Sequence, residues 1–466
     1  MSSATITFCG GAGSVTGSNF LLDTGAPSTG LGAGKKFLID CGMFQGGAEL
    51  EAGNWAPFGF DPTEIALLVN THAHIDHIGR IPHLVRLGYR GPILSTEATR
   101  AIAEPLLHDA MELSRMDAKR HGHPELFGEA DIAQALSQWQ TMGYHAPKDL
   151  GDGVTLEFLD SGHILGSAMA LFRRTSEGEV RSVLFTGDLG GGNSPLLSLA
   201  EEPKDVNYLV TESVYGDKMP APGEPRLDQL ENHIEDVARR GGVLLIPAFS
   251  TERTQDILFE IRELFTNKKV PSMPVYLDSP LAEKITQAYV AHPEFFNEAM
   301  QARIHAGEKI FAFDELHFIE NAAQSTDIMK KPGPKIILAG SGMSNGGRVL
   351  AHEMEVLPDE HSTVLIAGYQ AAGSLGRQLI EGAKKLDIHG TSVAVRAKIE
   401  TIYGYSAHMN SEQLLDFAAG MQDSLETVFV VMGEPASSGF LAQRIRDYLG
   451  IKSIVPAAGD KASINF

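Results

Sequence analysis

Short apolar runs divided by glycine-rich turns dominate the first half of the chain. Residues 5–9, 19–23, 37–40, 65–71, 154–159, 182–186 and 206–211 are four to seven residues long and rich in β-branched and aromatic side chains. Runs of that length and content predict strands. Between them, residues 97–119 and 129–142 carry apolar positions three and four apart, which predicts helices. Beyond Tyr215 the texture changes. A proline-rich patch at 219–225 predicts a linker. Helix-like and strand-like segments then alternate: helix 227–240, strand 243–247, helix 251–265, strand 275–277, helix 281–291, then strands 335–339 and 363–367. Alternation of this kind predicts a mostly parallel sheet covered by helices. From about Thr391 short strands return, and the pattern ends in a helix at about 438–448. With no internal repeat, the simplest organisation is one domain interrupted by another.

The length of 466 residues accommodates two or three domains with ample core. Two cysteines, Cys9 and Cys41, exclude a disulfide scaffold. No apolar stretch approaches the ~18 residues of a membrane span, and residues 1–11 show no charged, apolar leader pattern. A soluble, cytoplasmic protein that does not engage membranes is therefore expected. The net charge of −21 argues against binding nucleic acid through global charge. The charge is uneven, however. Residues 1–217 hold 14 Lys+Arg against 27 Asp+Glu, whereas 330–352 contain Lys330, Lys331, Lys335 and Arg348 and no acid.

The strongest chemical signal is His72-Ala-His74-Ile-Asp76-His77, directly after the predicted strand 65–71. In extended chain, residues two apart point the same way, so His72 and His74 can share one metal. Asp76 and His77 follow where a helix begins and can face a second metal. Imidazole and carboxylate ligands suit Zn²⁺. His163, in Asp160-Ser-Gly-His163, and Asp188, in Thr186-Gly-Asp188, also follow strands and are candidate ligands. Asp40 is a third carboxylate after an apolar strand, placed to orient a ligand or a water. His121, His123 and His352 read as surface or core residues.

The motif HxHxDH, with Asp40 before it and His163 and Asp188 after it, resembles the metallo-β-lactamase fold. That fold is an αββα sandwich, of α/β class, with a two-zinc site at one sheet edge. The resemblance implies one zinc on His72, His74, His163 and Asp188, and a second on Asp76, His77 and the bridging Asp188. Thr211-Glu212-Ser213-Val214-Tyr215-Gly216-Asp217, the βα insertion and Tyr405-Ser406-Ala407-His408 further resemble the β-CASP branch, mostly nucleases acting on RNA. Leu338-Ala-Gly-Ser-Gly-Met343, Gly346-Gly-Arg348, Gly368-Tyr-Gln370 and Gly373-Ser-Leu-Gly-Arg377 fit as well. The implied architecture is a metallo-β-lactamase domain (1–217 and 390–466) around an inserted β-CASP domain (218–389).

The resemblance implies a zinc-dependent ribonuclease, endonucleolytic or 5′→3′ exonucleolytic, acting on single-stranded RNA, with a homodimer within the family's range. A metal-activated hydroxide near Asp76 would attack phosphorus. His408, kept protonated by Glu212, would be the general acid. Ser341, Gly342, Gly346, Gly347 and Arg348 form a glycine-rich loop before an apparent helix, a favourable anion site. Gly373, Ser374, Arg377 and Arg253 are the further substrate-binding candidates. One position departs from the family pattern. Where the family carries a zinc-binding histidine, this chain has Met432 in Val431-Met432-Gly433-Glu434. A thioether does not replace imidazole on Zn²⁺, so the second zinc site is incomplete. Two other functions stay open: a catalytically weakened RNA-binding scaffold, favoured by Met432, and a small-substrate hydrolase of lactamase or thioesterase type.

Overall fold

A computed structural model of the chain describes residues 3–25, 34–219, 224–368, 370, 373–402 and 404–466. The chain divides into two compact units. One comprises Met1–Gly192, Leu197–Pro220 and His408–Phe466, the other Asn193–Leu196 and Ala221–Ala407. The proline-rich patch at 219–225 lies largely outside the described residues.

The first unit contains two seven-stranded sheets. One runs in the order Lys461–Asn465, Ser3–Gly10, Asn19–Asp23, Lys36–Ile39, Ile65–Val69, Ile93–Ser95, Trp139–Thr141. The other runs Lys452–Ile454, Thr427–Val430, Tyr208–Thr211, Glu179–Phe185, Ala168–Ser176, Val154–Asp160, Lys148–Gly151. Alternation sets the buried face: in Ser3–Gly10 every second residue, from Ala4 to Gly10, is buried. Phe8, Phe20 and Phe37 from the first sheet meet Phe172, Phe185 and Phe429 from the second in one core. The opposite face of the second sheet, through Leu184, Leu209 and Val428, packs on Leu414, Phe417, Leu441 and Ile445. Those residues come from Ser411–Ala419, Pro435–Arg444 and the π-turn Ile445–Leu449. The result is the expected αββα sandwich.

Local chemistry sets both ends of the long helix of the first unit. Helix Glu97–His121 starts where the Thr96 hydroxyl accepts from the Thr99 N–H, and it stops at Gly122 with φ 73°. The expected helix 129–142 is shorter than the pattern suggests. It closes at Gln138, and Trp139–Thr141 becomes a parallel edge strand beside Ile93–Ser95. There the Trp139 indole N–H donates to Ser95 Oγ (2.8 Å), a tertiary contact that overrides helical periodicity.

The second unit is built on a six-stranded sheet in the order Leu316–Phe318, Val275–Asp278, Lys335–Ala339, Val243–Pro247, Thr363–Ile366, Lys398–Thr401. All its pairings are parallel. Strand Lys398–Thr401 pairs with Thr363–Ile366, which carries this unit to Ala407 rather than to residue 389. Among the described residues no helix is long and apolar enough to cross a membrane.

Candidate metal centre

The first unit gathers its chemistry at the C-terminal ends of parallel strands, where open α/β sheets place their sites. Asp40 directly follows Lys36–Ile39, and His72 lies three residues past Ile65–Val69. In the facing sheet Asp188, Glu212 and Met432 lie just beyond three adjacent parallel strands, Glu179–Phe185, Tyr208–Thr211 and Thr427–Val430. His74 is extended (φ −64°, ψ 146°) and caps helix Ile75–Ile78, which carries Asp76 and His77. His163 comes from the loop between Val154–Asp160 and Ala168–Ser176.

His72, His74, His163 and Asp188 each bring one ligand-type atom to within 4.8 Å of the others. His74 Nδ1 lies 3.1 Å from His72 Nε2 and 3.2 Å from His163 Nε2. Asp188 Oδ2 is 3.5 Å from His72 Nε2 and 3.4 Å from His163 Nε2. The other oxygen, Oδ1, is 3.3 Å from His77 Nε2, which is 3.9 Å from Asp76 Oδ2. His77 Nε2 and Asp188 Oδ1 are buried, face each other and form no hydrogen bond. Such orphaned atoms are costly unless something joins them. Four ring nitrogens and two carboxylates aimed at shared points fit divalent cations, and their chemistry suits a borderline metal such as zinc.

The electrostatics prepare three of these side chains as ligands, while His77, against burial, is held well above the usual histidine range by the carboxylates of Asp188, Asp40 and Asp76. Burial and neighbouring imidazoles hold His74 and His163 well below the usual histidine range, so both are neutral. Asp188 is buried, yet His77 and His72 hold its carboxyl well below the usual range. Burial raises Asp76.

Asp40 stands behind the ligands. Its carboxylate accepts from Thr71 N–H (2.8 Å), Thr71 Oγ1, Asn70 Nδ2 and Ser18 Oγ, and bonds His77 Nδ1 at 2.7 Å. That last bond turns His77 Nε2 towards Asp188. Thr71 Oγ1 does the same for His72 by bonding its Nδ1 (3.1 Å). Both are the outer contacts that fix an imidazole's orientation in metal sites. Asp40 therefore spends its lone pairs on protein donors, His77 among them. Sequence reasoning found Asp40 but missed Ser18, Asn70 and Thr71, which are ordinary turn residues until the fold surrounds a carboxylate with them.

Beside this cluster, Asp188, Glu212 and His408 form a second group of ligand-type atoms. Glu212 is fully buried. Its Oε1 accepts from Leu189 N–H (2.7 Å) and lies 3.0 Å from His408 Nδ1, and its Oε2 accepts from Val214 N–H (3.2 Å). Burial opposes the imidazolium, but the Glu212 carboxylate outweighs it and His408 is pushed up to about 10. Met432 is buried, has φ 47° and lines a small enclosed space with Asp40, Thr186, Gly187 and Glu212. It brings no imidazole to that edge.

In the second unit the two glycine-rich segments meet. Gln370 Nε2 donates to Gly342 O (2.9 Å), and Gly376 N–H to Met343 O (3.3 Å). Gly347 has φ 78°, and a Cβ there would come 2.5 Å from Gly340 O, so glycine is required. Ser341 Oγ accepts from Asn345 N–H (3.1 Å), while Gly346 leaves open space around its α-carbon. Gly373 (φ 85°) precedes Ser374, whose hydroxyl caps helix Leu375–Ile380. The arginines are more engaged than their setting suggests. Arg348 Nη1 donates to buried Asp278 (2.6 Å) and to Ile319 O, and Nη2 to Glu320 O. Arg377 pairs with Glu381 (2.6 Å). Arg253 donates to Tyr405 O (3.3 Å) and lies 4.9 Å over Phe249. Asp278 also holds His352 Nε2 (2.6 Å) and Ser325. Nothing in the sequence linked these residues, because 74 positions separate Asp278 from His352.

Three family profiles match the chain: a metallo-beta-lactamase superfamily profile over residues 22–223, a Beta-Casp domain over 254–379, and a Zn-dependent metallo-hydrolase RNA specificity domain over 392–456. Ribonuclease TTHA0252 of Thermus thermophilus is 37% identical over 412 residues, 88% of this chain and 90% of that protein. The transcription termination factor FttA of Methanosarcina mazei is 30% identical over 465 residues, 96% of this chain and 70% of that protein. FttA of Methanocaldococcus jannaschii is 29% identical over 462 residues, 97% and 70% respectively. With its αββα sandwich, its histidine–aspartate cluster and these matches, the chain belongs to the β-CASP family of metallo-β-lactamase-fold hydrolases.

Proposed function

We propose that this chain is a zinc-dependent ribonuclease that hydrolyses phosphodiester bonds of single-stranded RNA. The observation that carries the reading is the four-donor pocket of His72, His74, His163 and Asp188, with the His408–Glu212 pair beside it. The name of the Thermus relative and the RNA-specificity profile support RNA as the substrate. His72, His74, His163 and Asp188 would hold one zinc, and Asp76, His77 and Asp188 a second. Bound zinc supplies Lewis acidity at the phosphoryl group and lowers the pKa of coordinated water.

The chain's own residues do the rest. Asp40 and Thr71 fix the rings of His77 and His72. Glu212 occupies His408 Nδ1, so Nε2 is the position from which His408 gives a proton to the departing oxygen. A cation held by the neighbouring ligands would oppose a charge on His408 and so make it a readier proton donor. The loop from Ser341 to Arg348 would meet phosphates through the N–H groups that its own turn leaves free.

The test is cleavage of a labelled single-stranded RNA by protein loaded with Zn²⁺ or Mn²⁺. His408→Ala should slow cleavage by 10²-fold or more, within the range of general acid catalysis, with metal content unchanged. Intact RNA after incubation with metal-loaded wild type would refute the reading. Met432 favours one alternative, a scaffold that binds RNA and releases it whole, and the same assay separates the two.

A further inference from the structure

One tyrosine packs its ring beside His408. Tyr215 lies in the turn after strand Tyr208–Thr211, and its ring meets the His408 ring edge-to-face at 5.7 Å and 67°. The His163 ring is 4.7 Å from the same imidazole. His408 is thus held between His163 and Tyr215, with Glu212 on Nδ1. With Nδ1 taken, Nε2 is the ring nitrogen left for substrate.

Buried and half-buried phenols normally find a partner for the hydroxyl. In this protein Tyr89 bonds Leu68 N–H and Pro92 O, Tyr144 bonds Ser167 O, Tyr208 bonds Glu426 and Tyr405 bonds Glu260. Tyr215 is half-buried, and, as for Tyr276 and Tyr448, no hydrogen bond from its hydroxyl is seen among the described residues. The turn that carries it is nevertheless fixed. Ser437 Oγ donates to Ser213 O (2.8 Å) and lies 3.1 Å from Asp217 Oδ1, and Lys218 N–H donates to Tyr215 O (3.0 Å). A Cβ on Gly216 would come 2.7 Å from Ser437 O, so the turn is packed against helix Pro435–Arg444. A phenol on a fixed turn, in ring contact with His408, can offer its hydroxyl to a ligand held beside that imidazole.

We propose that Tyr215 is a substrate-contacting residue whose hydroxyl donates a hydrogen bond to a phosphoryl oxygen of the RNA strand beside His408. The inference rests on the ribonuclease reading. The phenol keeps its proton throughout, and its contribution is to hold the phosphate in line with His408 Nε2.

Tyr215→Phe removes the hydroxyl and keeps the ring against His408. Single-turnover cleavage of a short single-stranded RNA by the zinc-loaded protein should slow about 10-fold, with unchanged melting temperature and metal content. The pH–rate profile should keep its shape, since the ring contact survives. Affinity for the same RNA in metal-depleted protein should fall about threefold, the scale of one lost hydrogen bond. Cleavage by Tyr215→Phe within twofold of wild type overturns the proposal. A displaced pH–rate profile with an unchanged plateau also overturns it, because that outcome assigns Tyr215 to tuning His408. If wild type cuts no RNA, the ribonuclease reading fails by itself. The binding comparison then decides the contact: weaker binding by Tyr215→Phe upholds it and equal binding removes it.

Discussion

Glu353 behind the glycine-rich loop offers the most quantitative test of the structure. It lies on helix Val349–Val356, is fully buried, and accepts a hydrogen bond from Ser344, a loop residue with φ 56°. Its second oxygen, Oε2, has no partner. Burial pushes the carboxyl from 4.5 up to about 7, against the hydrogen bond from Ser344. The folded protein therefore keeps a proton that the unfolded chain releases near 4.5. A raised carboxyl pKa contributes stability that is fully present below pH 4.5, declines as pH rises, and is lost above about 7. A gap of about 2.5 units at ~1.4 kcal/mol each amounts to about 3 kcal/mol. Glu353→Gln keeps shape and neutrality and cannot ionise. The variant should match wild type near pH 5 and exceed it near pH 8 by up to about 3 kcal/mol. At roughly 2–4 °C per kcal/mol for a unit of this size, that is an advantage of about 6–12 °C in the transition of the second unit. Melting curves of both proteins from pH 5 to 8.5 isolate the effect, because every other carboxyl titrates identically in the two. Parallel profiles, or a variant that loses ground as pH rises, would refute the buried neutral carboxyl.

Two further substitutions probe the metal centre. His74→Ala removes the nitrogen that stands between His72 and His163, and metal content after dialysis should drop by about one equivalent per chain while the far-ultraviolet circular dichroism is kept; unchanged metal content would remove His74 from the ligand set. Met432→His places an imidazole at the strand end beside Glu212 and Asp188, and the metal-to-chain ratio at limiting zinc should rise; an equal ratio would show that Met432 does not limit the second locus.

The sequence revealed most where a function needs several residues close together in the chain. His72, His74, Asp76 and His77 fall within six positions because one strand end and one helix start deliver them, so their spacing alone betrayed the chemistry. His163 and Asp188 were legible as residues just past predicted strands and Glu212 through the family resemblance, and parallel pairing brings the strand ends before Asp188 and Glu212 side by side. What stayed hidden depends on contacts distant in sequence. The 129–142 segment has helical periodicity throughout, and only the Trp139–Ser95 contact turns its end into a strand. Likewise, strand Lys398–Thr401 looks like part of the returning sandwich until its pairing with Thr363–Ile366 is seen.

The same distinction reorders the arginines. Arg253, Arg348 and Arg377 are equivalent candidates for phosphate in the sequence, but the structure gives them different surroundings. Arg348 is tied to buried Asp278, and drawing it to a phosphate would leave that carboxylate to His352 and Ser325 alone. Breaking one side of a buried ion pair costs several kcal/mol, so Arg348 serves best as the anchor of its own loop. Arg377 is exposed and paired with Glu381 four residues on, a contact worth at most about 1 kcal/mol and easily exchanged. Arg253 has no carboxylate partner among the described residues. It gives up only a carbonyl hydrogen bond and lies against Phe249, beside Gly368, where a Cβ would come 2.7 Å from its guanidinium carbon. Its charge is unneutralised within its own unit, and the glycine opposite keeps the space around it open. Of the three, Arg253 therefore has most to gain from an incoming phosphate and least to lose.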